Sequence, residues 1–293
     1  MTTDFVRHLE RSILWACRLE VLAPKPGNVH PGASFADLRC EDFLRSAELA
    51  APRLARAVSE GVGKSMLDAI KTTRAEVATN TNLGIVLLIA PLAAVGADKS
   101  LKEGIREVLG GLSIEDAAEV YEAIRCAQPG GMGKVSEQDV HEQPTVTLLE
   151  AMRMAADRDT IAAQYSNDFA LVLEGVEVLD RVRSFPECWK EEIVRLAVWI
   201  QTRVPDSLIA RKCGIETARE ASRRAAEILD YWDDPARREE GLVAFDTWLR
   251  GDGHRRNPGT TADLVAAVLF AAFRDRILPV PDTWPHPPKL EYA

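Results

Sequence analysis

The sequence predicts an all-α protein, a single multi-helix bundle of about ten helices with two of them buried at its centre. Apolar residues recur at three- and four-residue intervals along most of the chain, which is the spacing of one helix face. No segment shows sustained alternation, a βαβ rhythm or an internal repeat. Two runs, 83–95 and 264–273, are apolar on every side, as helices enclosed by other helices are.

The elements follow from these patterns in chain order. Phe5, Leu9, Ile13 and Ala16 mark the inward stripe of a first helix, which stops at Ala23-Pro24-Lys25-Pro26-Gly27 because proline removes a donor and clashes with the preceding turn. Helices are expected over 40–59 and 65–79, separated by Glu60-Gly61-Val62-Gly63. The polar cluster Thr79-Asn80-Thr81-Asn82 then opens the first central helix. Ser113 with Asp116 has the form of a capping box for a helix over 113–125, and another is expected over 145–157, with an ordered loop at 128–144 between them. Asn167 caps a helix from Asp168, Pro186 opens one through Thr202, and Asp206 or Ser207 begins a short turn ending at Gly214. Amphipathic helices follow at 215–229 and 235–250. Asn257-Pro258-Gly259-Thr260-Thr261 then introduces the second central helix. Residues 1–278 are thus expected to form one all-helical domain, and 279–293 a proline-rich tail over the surface.

Composition narrows the function. The 293 residues are 46% hydrophobic and 28% charged, enough to bury a core and too apolar for a disordered chain. A net charge of −9 argues against general nucleic-acid binding, so a polyanionic ligand must find a local basic pocket. The five cysteines form no CxxC pair and suit a reducing cytoplasm. The first dozen residues carry charges and lack the apolar centre of a signal peptide. The run 83–95 is interrupted by Pro91 and falls short of a membrane span, so no membrane partner is expected.

Each central helix begins at a dense polar cluster, Asn80 and Asn82 for one, Asn257, Gly259, Thr260, Thr261 and Asp263 for the other. A helix start offers unpaired N–H groups and the positive end of the dipole, which suits phosphate, although Asn and Thr also serve as plain caps. The stiff segment Lys25-Pro26-Gly27-Asn28-Val29-His30-Pro31-Gly32-Ala33 is fit to position Lys25, Gly27 and Asn28 at a phosphate, with Asp37 to hold Mg²⁺ against it. Asp206, Ser207, Arg211 and Lys212 place a carboxylate, a hydroxyl and two cations within one short turn. Other patterns fail. Gly63-Lys64-Ser65 lacks the first glycine of a P-loop, since position 58 is valine, and the histidines form no HxxxH pair. Cys213 beside Lys212 reads as a structural cysteine, and no nucleophile elbow is present.

Taken in order, Ala23-Pro24-Lys25-Pro26-Gly27-Asn28-Val29, Gly32-Ala33 with Asp37, Thr79-Asn80-Thr81-Asn82-Leu83-Gly84, Asp206-Ser207, and Asn257-Pro258-Gly259 through Asp263-Leu264 resemble the triphosphoribosyl-dephospho-CoA synthase family over nearly the whole chain. The resemblance implies an all-α catalytic domain. The implied reaction joins ATP to 3′-dephospho-CoA through an α-ribosyl linkage, releasing adenine and keeping the triphosphate. The K-P-G loop carries over onto Lys25, Pro26 and Gly27, the G-A-x(3)-D element onto Gly32, Ala33 and Asp37, and the N-P-G-x(3)-D-L element onto Asn257, Pro258, Gly259 and Asp263. Where such proteins read approximately N-T-H-K-G, this chain has Asn82 and Leu83 in place of the histidine and lysine. That variant resembles a branch in organisms with tetrahydromethanopterin-type carriers, so a related ribosyl or phosphoribosyl transfer in another cofactor pathway is an alternative, and a non-catalytic nucleotide-binding protein a further one. Displacement at an anomeric carbon asks for a carboxylate near the developing cation and a base for the incoming hydroxyl. Asp206 and Asp263 are expected in those roles, with Asp263 also at Mg²⁺. The partners expected are small nucleotides, and a homodimer is left open.

Overall fold

The computed structural model describes residues 3–129, 140–181 and 185–282. Among these are fifteen helices, and the one β-feature is an isolated bridge between His30 and Ala33. In order they are α1 (Thr3–Leu22), α2 (Cys40–Leu54), α3 (Ala57–Glu60), α4 (Val62–Arg74), α5 (Leu83–Ala93), α6 (Leu101–Gly110), α7 (Ile114–Ala127), α8 (Leu148–Ala155), α9 (Thr160–Ser166), α10 (Ala170–Asp180), α11 (Phe185–Arg203), α12 (Ser207–Cys213), α13 (Ile215–Asp230), α14 (Pro235–Arg250) and α15 (Gly259–Arg274).

The class is the one expected, with more pieces than the ten anticipated. The stretch 40–59 divides into α2 and α3 just after Pro52, and α6 and α9 were not anticipated. The helix expected from Asp168 begins instead at Ala170, because Asp168 and Phe169 have φ of +56 and +61, though Asn167 Oδ1 still accepts the N–H of Ala170 at 3.2 Å. The capping box expected at Ser113 forms. Ser113 Oγ accepts the N–H of Asp116 at 3.1 Å while Asp116 Oδ2 accepts that of Ser113 at 2.9 Å. The expected loop at 128–144 and the tail at 279–293 lie largely outside the described residues. Of the tail, the Pro281 carbonyl and the Asp282 carboxylate both accept from Arg11.

The core is organised around α5 and α15, whose residues from Ile85 to Ala93 and from Leu264 to Phe273 are buried throughout. α1, α2, α4 and α7 cover one side of this pair, and α9, α10 and α11 the other. A second apolar cluster joins α11 to α12, α13 and α14 through Val198, Ile209, Ala225, Phe245 and Leu249. No described helix is long and apolar enough to cross a membrane.

Two contacts fix the relative direction of α5 and α15. At one end the Asp263 carboxylate occupies the space beside Gly84, where an added Cβ would fall 2.0 Å from Oδ2. At the other end buried Arg274 donates to the carbonyls of Val95 at 2.9 Å and Gly96 at 2.6 Å, just past the end of α5. Gly84 and Val95 are eleven positions apart, as are Asp263 and Arg274, so the two helices run parallel for about 16 Å. Both positive dipole ends therefore lie together, and the Arg274 guanidinium sits at the negative ends, where a cation is favoured.

Candidate active site

A cavity of about 820 Å³ opens at the shared N-terminal end of α5 and α15, large for a single small ligand. The first turn of each central helix contributes to it because Asn80, Asn82 and Asn257 interrupt the apolar pattern there. Asn80 Oδ1 accepts the N–H of Leu83 at 3.2 Å, capping α5. Asn28, from the stiff loop after α1, donates through Nδ2 to Asn257 Oδ1 at 2.8 Å and so fastens the two predicted loops to each other. Of the residues singled out by sequence, Asn28, Asp37, Asn80, Asn82, Arg211, Lys212, Asn257, Gly259, Thr260 and Asp263 all line this cavity.

Four expected ligands do not line it. Lys25 is fully buried, and its ammonium forms an ion pair with Glu20 Oε1 at 2.8 Å while donating to the carbonyls of Glu20 and Ala23. Its charge is consumed below the cavity floor, because a buried ammonium needs a buried carboxylate beside it. Gly27 has φ +76, its N–H donates to Asp246 Oδ1 at 2.7 Å, and an added Cβ would lie 2.8 Å from Pro258 Cδ. It serves the close approach of the K-P-G loop to the N-P-G loop. Asp206 accepts the N–H groups of Leu208 and Ile209 on Oδ1, at 2.9 and 3.0 Å. Its Oδ2 accepts the N–H and hydroxyl of Thr261, at 2.7 and 2.8 Å. With both oxygens taken, this carboxylate clasps the starts of α12 and α15 and does not reach the cavity. Ser207 Oγ is likewise engaged with Thr260 Oγ1 at 3.0 Å.

Asp263 differs from Asp206 in being unpartnered. Among the described residues no side chain or backbone group hydrogen-bonds or ion-pairs with its carboxylate, which faces the cavity. Burial first, and then the negative charges of Glu20, Asp206 and Asp159, push its pKa well above the usual carboxylate range, with Arg211 opposing. The dipole of α15 favours its ionised form, and desolvation among acids outweighs that effect. Burial also raises Glu20, against the opposing pull of Lys25.

Several cavity residues were not anticipated. Glu20 continues the stripe Leu9, Ile13, Ala16 by one more helical step, so an acid at a core position was there to be noticed. Asp159 caps α9 through Oδ1 and pairs with Arg211 through Oδ2, at 3.0 Å. Arg74 and Arg158 add two cations to the lining. At the positions where histidine and lysine were noted as absent, Asn82 Nδ2 donates to Thr73 Oγ1 at 3.2 Å and Leu83 is buried. The cavity's positive charge comes instead from Arg74, Arg158, Arg211 and Lys212. Among the described residues no group of three or more His, Cys, Asp or Glu is placed as a metal-ligand set.

A helical bundle with two helix starts, four cations and the unpartnered Asp263 carboxylate around a single cavity defines a protein that handles phosphorylated small molecules. The chain belongs to the CitG family, ATP:dephospho-CoA triphosphoribosyl transferase, whose model matches residues 6–280. It is also similar to a crystal structure from Archaeoglobus fulgidus that carries, provisionally, the name triphosphoribosyl-dephospho-CoA synthase. The TM-score is 0.63 at 28% identity, over 80% of this chain and 99% of that one. None of the curated proteins matches the chain in sequence. Membership makes the protein a transferase of cofactor biosynthesis.

Proposed function

We propose that the protein transfers the triphosphoribosyl group of ATP to a hydroxyl of 3′-dephospho-CoA, with Asp263 at the reacting carbon. The unpartnered Asp263 carboxylate between two helix starts carries this reading. In the transfer the C1′–N9 bond of ATP breaks with its electron pair going to adenine, a C1′–O bond to the acceptor forms, and the proton lost by the acceptor hydroxyl is balanced by the one gained at N9, so that free adenine and the joined product result. Attack on the face opposite adenine inverts the anomeric carbon, which yields the α linkage from a β-nucleotide.

The triphosphate lies against Arg158, Arg211 and Lys212, where the helix starts of α5 and α15 add oriented positive potential without reorganising during the reaction. Asp263 has two tasks that fit its position. As an anion it steadies positive charge developing at C1′, and as a base with a raised pKa it takes up the acceptor's proton. An empty cavity favours its protonated form, and a bound cation favours its ionised form. Mg²⁺ suits this carboxylate, because Mg²⁺ is held by one or two carboxylates together with substrate phosphates and needs no complete protein cage. Asp263 would hold it, with Asp37 at the exposed rim as a second oxygen donor, and the ion would neutralise phosphate charge. Asp206 acts beneath the site, holding the first turns of α12 and α15 in register.

The test is to incubate the purified protein with ATP, Mg²⁺ and dephospho-CoA and to measure adenine chromatographically. Adenine is expected in equal amount to a product of greater mass than dephospho-CoA, and Asp263→Asn should abolish most of it. No adenine from the wild type under any ratio of the two substrates overturns the reading.

A further inference from the structure

We infer that the end of the cavity between α7 and α8 is the seat of the acceptor's uncharged arm, and so sets acceptor specificity. The inference rests on the transfer reaction proposed above. The cavity has two chemically distinct ends. The carboxylate, the helix starts and the cations Arg211 and Lys212 come from α5, α12 and α15, whereas α7 and α8 pack against each other and supply Ile124, Ala151 and Met152, with Val120 and Leu148 fully buried among them and Arg158 in the turn that follows α8.

Three considerations identify the occupant. Among the described residues nothing fills the space beside the partly exposed Ile124, Ala151 and Ala155, and an apolar surface without filling contacts favours a ligand that supplies them. Triphosphate cannot be that ligand, since burying its charge against Ile124 and Met152 would be uncompensated there. The donor's ribose and triphosphate are held at the carboxylate and cations; of the uncharged portions that remain, the two adenine rings and the pantetheine arm of dephospho-CoA, the arm is the one whose flexible aliphatic chain matches a wall of small and unbranched side chains. That arm is long, uncharged and mostly aliphatic. Met152 adds a wall able to repack around a flexible chain, as unbranched thioethers do. Ala151 and Ala155, one helical turn apart on α8, also line this end, and both are half-buried, so larger side chains there would project into the space without displacing core residues.

The experiment uses the full chain in calorimetric titrations with dephospho-CoA, ADP and ATP, where ADP stands for the acceptor without its arm. Wild-type protein is expected to bind dephospho-CoA at least about tenfold more tightly than ADP, the gain from burying a few methylene groups. Ala151→Trp and Ala155→Trp should erase that difference and leave ADP and ATP affinities unchanged, with circular dichroism confirming the fold. Met152→Gln, which keeps length and adds polarity, should move the ratio in the same direction by a smaller factor. Equal wild-type affinity for dephospho-CoA and ADP overturns the inference, and so does a loss of ATP affinity in the Trp variants, which would place the donor's base at this end. Adenine release measured on the same preparations separates the two readings. Arm-dependent binding without release would refute the proposed transfer alone, and release without arm-dependent binding would refute this inference alone.

Discussion

The carboxylate of Asp263 stands in the space left by the missing side chain of Gly84, with a notional Cβ only 2.0 Å from Oδ2. The glycine lies in the first turn of one central helix and the aspartate in the second turn of the other, so each fixes the position of the other. Gly84→Ala should therefore leave the helices formed, since alanine is a better helix former, and push the carboxylate aside. A displacement near 1 Å at a reacting group costs about 100-fold in rate. Steady-state kcat for adenine release with unchanged far-UV circular dichroism is the expected result. Full activity would mean that the Asp263 carboxylate has no fixed task.

Asp263→Asn is expected to lower turnover by about 2–4 kcal/mol in activation free energy, the range for loss of one preorganised electrostatic group. The same change should stabilise the metal-free protein. The folded-state pKa of Asp263 lies above its unfolded value, so the folded protein holds this proton to higher pH than the unfolded chain does. Stability contributed by the protonated acid is present below the unfolded pKa, about 4, and is lost as pH rises toward the folded value. The variant should accordingly melt at a higher temperature than wild type near pH 7 and no higher near pH 4. Thermal melts at both pH values without divalent cations check this.

Lys25 is a stability residue. Removing one partner of a buried ion pair strands the other charge, and such losses run to about 3–5 kcal/mol. Lys25→Met should show this in urea unfolding, and adding Glu20→Gln should recover a substantial part of it. A Lys25→Met protein of wild-type stability with a raised KM for ATP would return the lysine to a phosphate role.

Arg211→Ala should act on binding. Asp159 would still cap α9 through Oδ1 after its partner on Oδ2 is gone, so the local fold is retained. A cation that holds substrate and transition state alike appears in KM more than in kcat. The expected outcome is a KM for ATP raised by about tenfold, the size of one charge-assisted contact, with kcat within a few-fold. A fall in kcat at unchanged KM would assign Arg211 to the transition state.

What the sequence disclosed, and what it withheld, follows from the range of the forces involved. The runs at 83–95 and 264–273 declare burial in their own composition, and Ser113 with Asp116 is a cap read from four consecutive residues. α6 was missed although Ser100 and Glu103 form the same kind of box, because Gly104 and Gly110 weaken its helical signal. At the site, Asn80, Asn257 and Asp263 were legible as polar groups preceding or opening apolar helices. Lys25 and Asp206 were legible as chemistry but not as direction. Which way a charged side chain turns depends on where its counter-groups lie, and those of Asp206 include Thr261, far away in sequence. Glu20 stands on the apolar stripe only five residues before Lys25, and their approach is not visible in that spacing because α1 ends at Leu22 between them and the turn after it sets where the lysine lies.

Arg274 ties the paired central helices by hydrogen bonds at the end away from the cavity, whereas at the cavity end they meet by the packing of Asp263 against Gly84. The arrangement works as tongs do, with the grip set by a joint some 16 Å from the jaws. The guanidinium donates to the carbonyls of Val95, Gly96 and Lys99, so it controls how closely the far ends of both helices are drawn together, and through two stiff rods the gap between Gly84 and Asp263. A residue that never meets substrate thus holds mechanical leverage over the spacing at which the ribose must fit.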